Sequence, residues 1–487
     1  MLVKPQVSLR SIDSALRVMG VGANPPAMIR LAPFLSCLLI TSCVLGPEPA
    51  VPEVEVPDSI RGSSVSGQSF GDKAWRQVFT DPALRALITR ALDNNPDLVA
   101  ATFRIEQARA AASAAQADWF PQVGGSGGAS VNRGSRNAGQ VAPGASRSSE
   151  TYDLSASLSW ELDLWGGIRR SNQAARARLL EAEYRRDAVQ TSLIAAVAAA
   201  YIELKNLDER LAIARRTAAS REESLELVTA RRDGGVSSDL ELGQAQALLA
   251  QARTAIPITE QAITAKENEI RFLIGDFPAS VARRGSLDAL DRSLRIRGGL
   301  PSSLLERRPD VAAASHAYQA AVADIGVAEA LRLPSLALTG GGGVVSRSFD
   351  NLLKGSSTAY TIGPDLAGPV FDAGRNRARV RAAKARADEA LAAHDRAAKN
   401  AFREAANAIN AHVKTGEIIT EQSALVAANR KIATVAAERF EGGESSYLEV
   451  LDAERSLFTS ELELVDARRN RLLAIVEAYR ALGGGWK

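Results

Sequence analysis

The chain is poor in the residues that most chemistry needs. Two cysteines occur in 487 residues, Cys37 and Cys43, both near the N-terminus. No disulfide framework and no thiolate metal site can be built in the body of such a chain. The three histidines, His316, His394 and His412, lie in Ala- and charge-rich stretches at no metal-binding spacing. They read as solvated helix-face residues. HExxH and GxxxxGK(S/T) are both absent, so zinc-protease and P-loop chemistry have no carrier. No nucleophile and base stand at a recognisable spacing, and the run GGGGVV at 340–345 ends a strand pattern with no helix after it. The expectation is no enzyme, no cofactor and no metal. Basic surface is lacking too. The formal charge of +3 is carried by residues 1–42, where Lys4, Arg10, Arg17 and Arg30 stand against Asp13. The remainder is neutral, which argues against a nucleic-acid partner. Aromatics are scarce at 5% while alanine is abundant, a composition that suits close-packed helices.

What is present begins with a leader. Residues 28–43 read MIRLAPFLSCLLITSC. Arg30 is a minimal basic start. Leu31 to Ile40 is an apolar run too short to span a bilayer and right for a secretory signal. Residues 1–27 look superfluous, so Met28 is an alternative start. Ile40-Thr41-Ser42-Cys43 resembles the lipobox of bacterial lipoproteins, which implies cleavage before Cys43 and a lipid on it. An ordinary secretory signal with an incidental cysteine is the alternative. Val44, by the rule known for enteric lipoproteins, is compatible with the outer membrane. The GPEPAVPEVEVP that follows predicts an extended tether with no core-forming pattern.

The rest is written twice. RRDGGVSSDLEL at 231–242 returns as RFEGGESSYLEV at 439–450. In each, a Gly pair (Gly234-Gly235, Gly442-Gly443) can end a helix through positive φ. Ser238 with Glu241, and Ser446 with Glu449, can start the next as capping boxes. Each stretch is therefore the tip of a helical hairpin. Asn95-Pro96-Asp97 is echoed by Arg308-Pro309-Asp310, Pro121 by Pro334, and Gly167 by Gly374, at offsets of 213, 213 and 207. Ordered landmarks at a nearly constant offset indicate a duplication. Each copy predicts a helix (97–119, 310–331), an extended Gly-rich region, a long helix and a returning one. The first long helix, near 168–232, would measure roughly 95–100 Å. Its seam, Leu193, Val197, Ala200, Leu204, Leu207, Leu211, Ala214, alternates steps of four and three, as coiled coils do. The return helices repeat by sevens, as Leu242, Leu249, Ile256, Ile263, Ile270 and as Leu451, Phe458, Val465, Leu472, Tyr479. Pro257 should kink the first of them.

Between the helices lie strands. Residues 152–164, YDLSASLSWELDL, alternate apolar and polar without an error. Tyr152, Leu154, Ala156, Leu158, Trp160, Leu162 and Leu164 share one face, with aromatics placed for interfacial girdles. A soluble sandwich strand is the alternative. Partner strands are Gly-rich and weaker, which makes four per chain. A sheet cannot end inside a bilayer with unpaired edges, and membrane barrels start at about eight strands. One chain cannot close a barrel, so several copies must share one.

These stretches carry a family resemblance. ITSCVLGPE, NNPDLVAA, SWELDLWGGIRR, GLPSSLLERRPDV, GPVFDAGRNRAR and RFEGGESSYLEVLDAERSLF resemble the TolC-like outer-membrane efflux proteins, specifically the lipoprotein branch (NodT type) that serves RND pumps. One departure is Gly167, where the family usually has Arg. The resemblance implies a mixed α and β membrane protein of two internal repeats, whose homotrimer forms a 12-stranded β-barrel continuous with a periplasmic α-helical barrel. It implies partnership with a periplasmic adaptor and an inner-membrane RND transporter, contact with outer-membrane lipid, and passive conduction of small molecules without catalysis. In that branch the periplasmic tip is narrowed by rings of Leu and Asp. The motif places these on Leu448 and Asp452, four apart on one helix face. Arg455 could latch Asp452. The alternative is a solvated surface pair worth roughly a few tenths of a kcal/mol. Gln244 stands where Asp452 does in the first copy, beside Leu240 as the counterpart of Leu448, so the two hairpins should not gate equally. Gly234, Gly235, Gly442 and Gly443 are the implied hairpin tips and a possible adaptor contact.

The organisation expected is a signal peptide at 1–42 and a lipidated tether at 43–70. The first repeat is 71–300, with strands near 122–133 and 150–164 and a tip near 234–238. The second is 301–487, with strands near 335–345 and 358–368 and a tip near 442–446. Within the transport class, a duct for metal ions or for type I protein secretion is the rival. Metal cargo is disfavoured because methionine occurs only at 1, 19 and 28. A coiled-coil envelope lipoprotein is a further rival that leaves the strands unexplained.

Overall fold

The computed structural model describes residues 44–54, 70–135, 137, 144, 146–283, 285–293 and 307–484. The leader and Cys43 lie outside the described residues. After a short helix α1 (Trp75–Val78) come α2 (Pro82–Asn94) and α3 (Pro96–Ala117). Strands β1 (Gln122–Arg133) and β2 (Ser148–Leu162) precede the first hairpin, α4 (Gly167–Asp233) and α5 (Asp239–Leu273). A short α6 (Leu287–Ser293) leads to the second copy: α7 (Pro309–Ala330), β3 (Ser335–Ser346), β4 (Thr358–Ala367), α8 (Arg375–Glu441) and α9 (Tyr447–Ala481). Both long helices have 67 residues and both return helices 35.

The ends of these elements are set by local chemistry. Asp81 caps α2 through the Leu84 amide. Asn95 caps α3 through two amides and carries Pro96 at the first helical position, where a missing N–H is harmless. The two copies close alike at this level. Asn95 Nδ2 donates to the Leu273 carbonyl at the end of α5. Arg308, buried, donates to the Ala481 carbonyl at the end of α9 and to Asp310 and Glu404. The glycines that open the long helices are Gly166 and Gly374, at φ 78° and 86°. The counterpart of Gly374 is therefore Gly166 and not Gly167, and the offset becomes 208, the same as between the hairpin tips. Asp163 and Asp372 then accept the first amides of α4 and α8, which satisfies donors that a helix leaves unpaired.

Several expectations need correction. Only the second glycine of each tip pair takes positive φ, Gly235 at 77° and Gly443 at 76°; Gly234 and Gly442 have negative φ. The Ser238–Glu241 capping box forms, but Ser446 makes no side-chain cap bond. The Glu449 amide donates to the Ser446 carbonyl at 3.1 Å instead, and the Glu449 carboxylate lies 3.6 Å from Arg439. Pro257 does not interrupt the first return helix, which runs from Asp239 to Leu273. The histidines are not solvated: His394 is buried, and His316 is half-buried and stacked on Tyr184 at 5.3 Å. Burial lowers the pKa of both, because they sit on packed helix faces.

The four strands form one antiparallel sheet in the order β1-β2-β3-β4. Gln122 pairs with Ser159, Tyr152 with Ser346, and Ser335 with Ala367. β2 stops at Leu162, two residues short of the expected end. The outer edges of β1 and β4 carry no partner strand among the described residues. The chain's main core lies where α1 and α2 pack on α4 and α9. Ile88, Val197, Tyr201, Leu472, Ile475 and Tyr479 are buried there. Tyr479 meets Phe70 and Phe79 edge-on and donates to the Lys73 carbonyl. Of the α4 seam, Leu193, Val197, Ala200, Leu204 and Ala214 are buried, while Leu207 and Leu211 are half-buried.

Candidate functional site

The second hairpin tip brings the proposed gate residues together. At the start of α9, Tyr447, Val450 and Ala453 face inward onto Val228 and Phe440. That leaves Leu448, Asp452 and Arg455 on the opposite face. Leu448 is 60% exposed, and the side chains of Asp452 and Arg455 are 72% and 61% exposed. Arg455 approaches Asp452 to 3.8 Å, a pair that solvent screens. An exposed apolar residue and an exposed acid, one turn apart, form a stripe left uncovered among the described residues. Leu240 in the first hairpin is also exposed, at 70%. At Gly235 and Gly443 a side chain would meet nothing within 4 Å, so both turns stand free.

What the sequence did not reveal is how the two hairpins are joined. Arg231, in the last turn of α4, donates to the Phe440 carbonyl and lies 4.6 Å over the Phe440 ring. A cation at these end carbonyls is favoured by the helix dipole. Further from the tip, Ser224 donates to Glu454 at 3.1 Å. Arg221, 1% exposed, reaches the Leu248 carbonyl at 2.8 Å and lies 3.6 Å from the Glu454 carboxylate. Burial pushes the Glu454 carboxyl above the ordinary range despite that arginine, and lowers Arg221. Tyr447 beside them is pushed up to about 12, first by burial and then by Glu454. Next along α9, Glu461 accepts from Arg216 of α4 and from Arg430 of α8 at 2.7 Å. Asp466 accepts from Asn206 and Arg210 at 3.0 and 2.8 Å. These contacts make a polar ladder from one hairpin to the other. Its trace in the sequence is the seven-residue spacing of Tyr447, Glu454 and Glu461, which runs beside the apolar sevens of the same helix.

Among the described residues no cluster of His, Cys, Asp and Glu could hold a metal ion. The profile of the family described as "Outer membrane efflux protein" matches residues 87–276 and 300–484. The chain is 34% identical to the outer membrane protein OprJ of Pseudomonas aeruginosa over 459 residues, 93% of this chain and 95% of that protein. It is 31% identical to the cation efflux system protein CusC of Escherichia coli over 463 residues, 94% of this chain and 99% of that one. The solved structure of the outer-membrane channel OprN superimposes with a TM-score of 0.84 at 33% identity, covering 91% of this chain and all of OprN.

Proposed function

The chain belongs to the outer membrane efflux protein family, and from that membership we propose that it is the outer-membrane channel of a tripartite RND-type efflux system. Three copies share one 12-stranded barrel. Their paired hairpins continue it as a helical tube toward an adaptor and an inner-membrane transporter. The observation that carries this reading is a four-stranded sheet whose two outer edges are unpaired among the described residues, joined to two matched hairpins. Such edges are tolerated in a bilayer only when another copy closes them. The channel catalyses no reaction and conducts passively. Small organic molecules are the cargo we favour. The metal reading keeps the support of similarity to CusC, but methionine, the soft ligand such cargo would select, occurs only at 1, 19 and 28.

Within this reading Leu448 and Asp452 form the closing rings, with Arg455 beside them, and Cys43 carries the lipid. The glycine tips, where Gly235 and Gly443 have no neighbour within reach of a Cβ, are the surface offered to the adaptor. Planar-bilayer recording of the purified trimer tests both levels. The expected wild-type channel is narrow and prefers cations, because a ring of carboxylates attracts them. Asp452→Asn should lower the cation preference and Leu448→Ala should raise conductance. A monomer without conductance would refute the channel reading. A conducting trimer indifferent to both changes would refute only the gate.

A further inference from the structure

The segment after Cys43 reads as a free tether, yet its first residues are held. The Leu45 amide donates to the Trp165 carbonyl at 3.1 Å. Arg170, 5% exposed, donates from Nε to the Leu45 carbonyl at 3.0 Å and from Nη2 to the Gly46 carbonyl at 2.9 Å. Gly46 takes φ 81°, and a Cβ there would lie 2.5 Å from Gly326 Cα. A Cβ on Gly326 would lie 2.6 Å from the Leu45 carbonyl oxygen and 2.7 Å from Arg170 Cγ. A Cβ on Gly166 would lie 2.8 Å from Val44 Cγ1. Gly166 and Gly326 thus clear the space that the segment fills, Gly46 lets it approach, and a buried guanidinium binds the carbonyls of Leu45 and Gly46.

The duplication shows that this arrangement is not a by-product of the fold. Gly326 sits inside α7, where glycine weakens a helix. The first copy has Ser113 at that position. Arg170 has Ala378 as its counterpart in the second copy. Arg170 and Gly326 are therefore present where the segment lies and replaced where it does not, while Gly166 is shared with the second copy as Gly374.

We propose that Arg170, Gly326 and Gly166 form an internal receptor for the mature N-terminus. It fixes Val44 to Gly46, the residues that follow the lipid-bearing cysteine, at the junction of β2 and α4, so that the acyl chains have only a short reach from the barrel's own end. The inference rests on the reading that Cys43 is lipidated. Its geometry is independent of the lipid, since Val44 to Gly46 are covalently next to that cysteine. Trp165, which accepts the Leu45 amide, follows the last residue of β2 by three positions, a distance of about 10 Å along an extended chain. The anchor is then a positioned part of the barrel and not a leash.

The test uses the full chain expressed with its leader and purified in detergent. Mass spectrometry of the N-terminal peptide reports whether Cys43 is acylated. Hydrogen exchange of the Leu45 amide, read by fragmenting that same peptide, reports whether the segment is seated, since this amide donates to the Trp165 carbonyl. It should exchange at least tenfold more slowly in the wild type than in Arg170→Leu or Gly326→Ala. Gly326→Ala is the decisive variant, because alanine favours helix α7 while its methyl evicts the segment, and unchanged exchange in peptides around Tyr479 shows that the fold is intact. Equal rates in all three proteins, or wild-type exchange as fast as that of a free peptide, would overturn the receptor. A protected segment on an unmodified cysteine would overturn the lipid reading and leave the receptor standing.

Discussion

Replacing Glu461 with Gln should loosen the second hairpin without unfolding the protein. The carboxylate is 9% exposed and holds Arg216 of the first hairpin and Arg430 of its own. Charge-assisted bonds contribute about 1.5–3 kcal/mol each when buried. Here both arginines are more than 60% exposed, so solvent screening reduces each to about 1 kcal/mol. Gln keeps one oxygen and one bond. The net loss is about 1–2 kcal/mol per protomer, a factor of roughly 5–30 in the local open population. Hydrogen exchange of peptides spanning 454–466 in the assembled protein should rise by that factor. Peptides around Tyr479, in the core shared by α2 and α9, should stay unchanged. Added salt should shrink the difference, because a screened pair has less to lose. Exchange within twofold of wild type at low salt would refute the view that this clamp joins the hairpins.

Three further outcomes follow from the same geometry. Glu454 has its carboxyl raised by burial, so the packed form prefers the proton. The contact it makes is then most stable below the ordinary value of 4.5 and weakens as pH climbs through the raised one. Exchange near 447–458 should therefore increase with pH beyond its intrinsic rate, and Glu454→Gln should abolish that excess. Arg308→Ala strands Asp310 and Glu404 around a buried site and should cost about 3–5 kcal/mol, read as a lowered melting temperature. Arg308→Lys should not restore it, since the pairing with Asp310 needs two nitrogens. Gly443→Ala meets no neighbour but must hold φ 76°, costing about 1–2 kcal/mol. Gly442→Ala, at negative φ, should cost far less by the same thermal measurement.

The sequence made periodic features legible because periodicity is what packing selects. The sevens of α9 put Val465, Leu472 and Tyr479 inside, and the alternation at 152–164 announced β2. Punctuation was legible where one residue suffices, as at Gly443. It failed where residues compete. At Ser446 the Glu449 amide goes to the serine's own carbonyl and the Glu449 carboxylate toward Arg439, and the sequence pattern could not weigh these partners against the box. The stripe proposed as a gate was marked by a motif and the ladder was not. Arg221, Glu454 and Glu461 look like ordinary surface charges until tertiary contact joins helices more than 200 residues apart in the chain. The His394 expectation failed for the same reason: a polar residue on an Ala-rich helix gives no sign of which face is covered.

The duplication separates what the fold requires from what function adds. Features kept in both copies are structural: 67- and 35-residue helices, αL glycines at Gly166 and Gly374, and bonds from Asn95 and Arg308 to the ends of the return helices. The departures fall at the places proposed to act. Asp452 faces the first copy's Gln244, Arg170 faces Ala378, and Gly326 faces Ser113. Two identical copies would offer two seats for one N-terminus and two equal tips for one closure. A segment with two sites of equal affinity occupies either, and a constriction shared by both hairpins could not be released by moving one. Under the proposed roles, breaking the symmetry at these positions is what would let a repeated scaffold hold one anchor and move one hairpin. The polar ladder fits this division, since its carboxylates Glu454, Glu461 and Asp466 all lie on α9 and most of its partners on α4. The restraint therefore acts between the copies, where relative movement would have to occur.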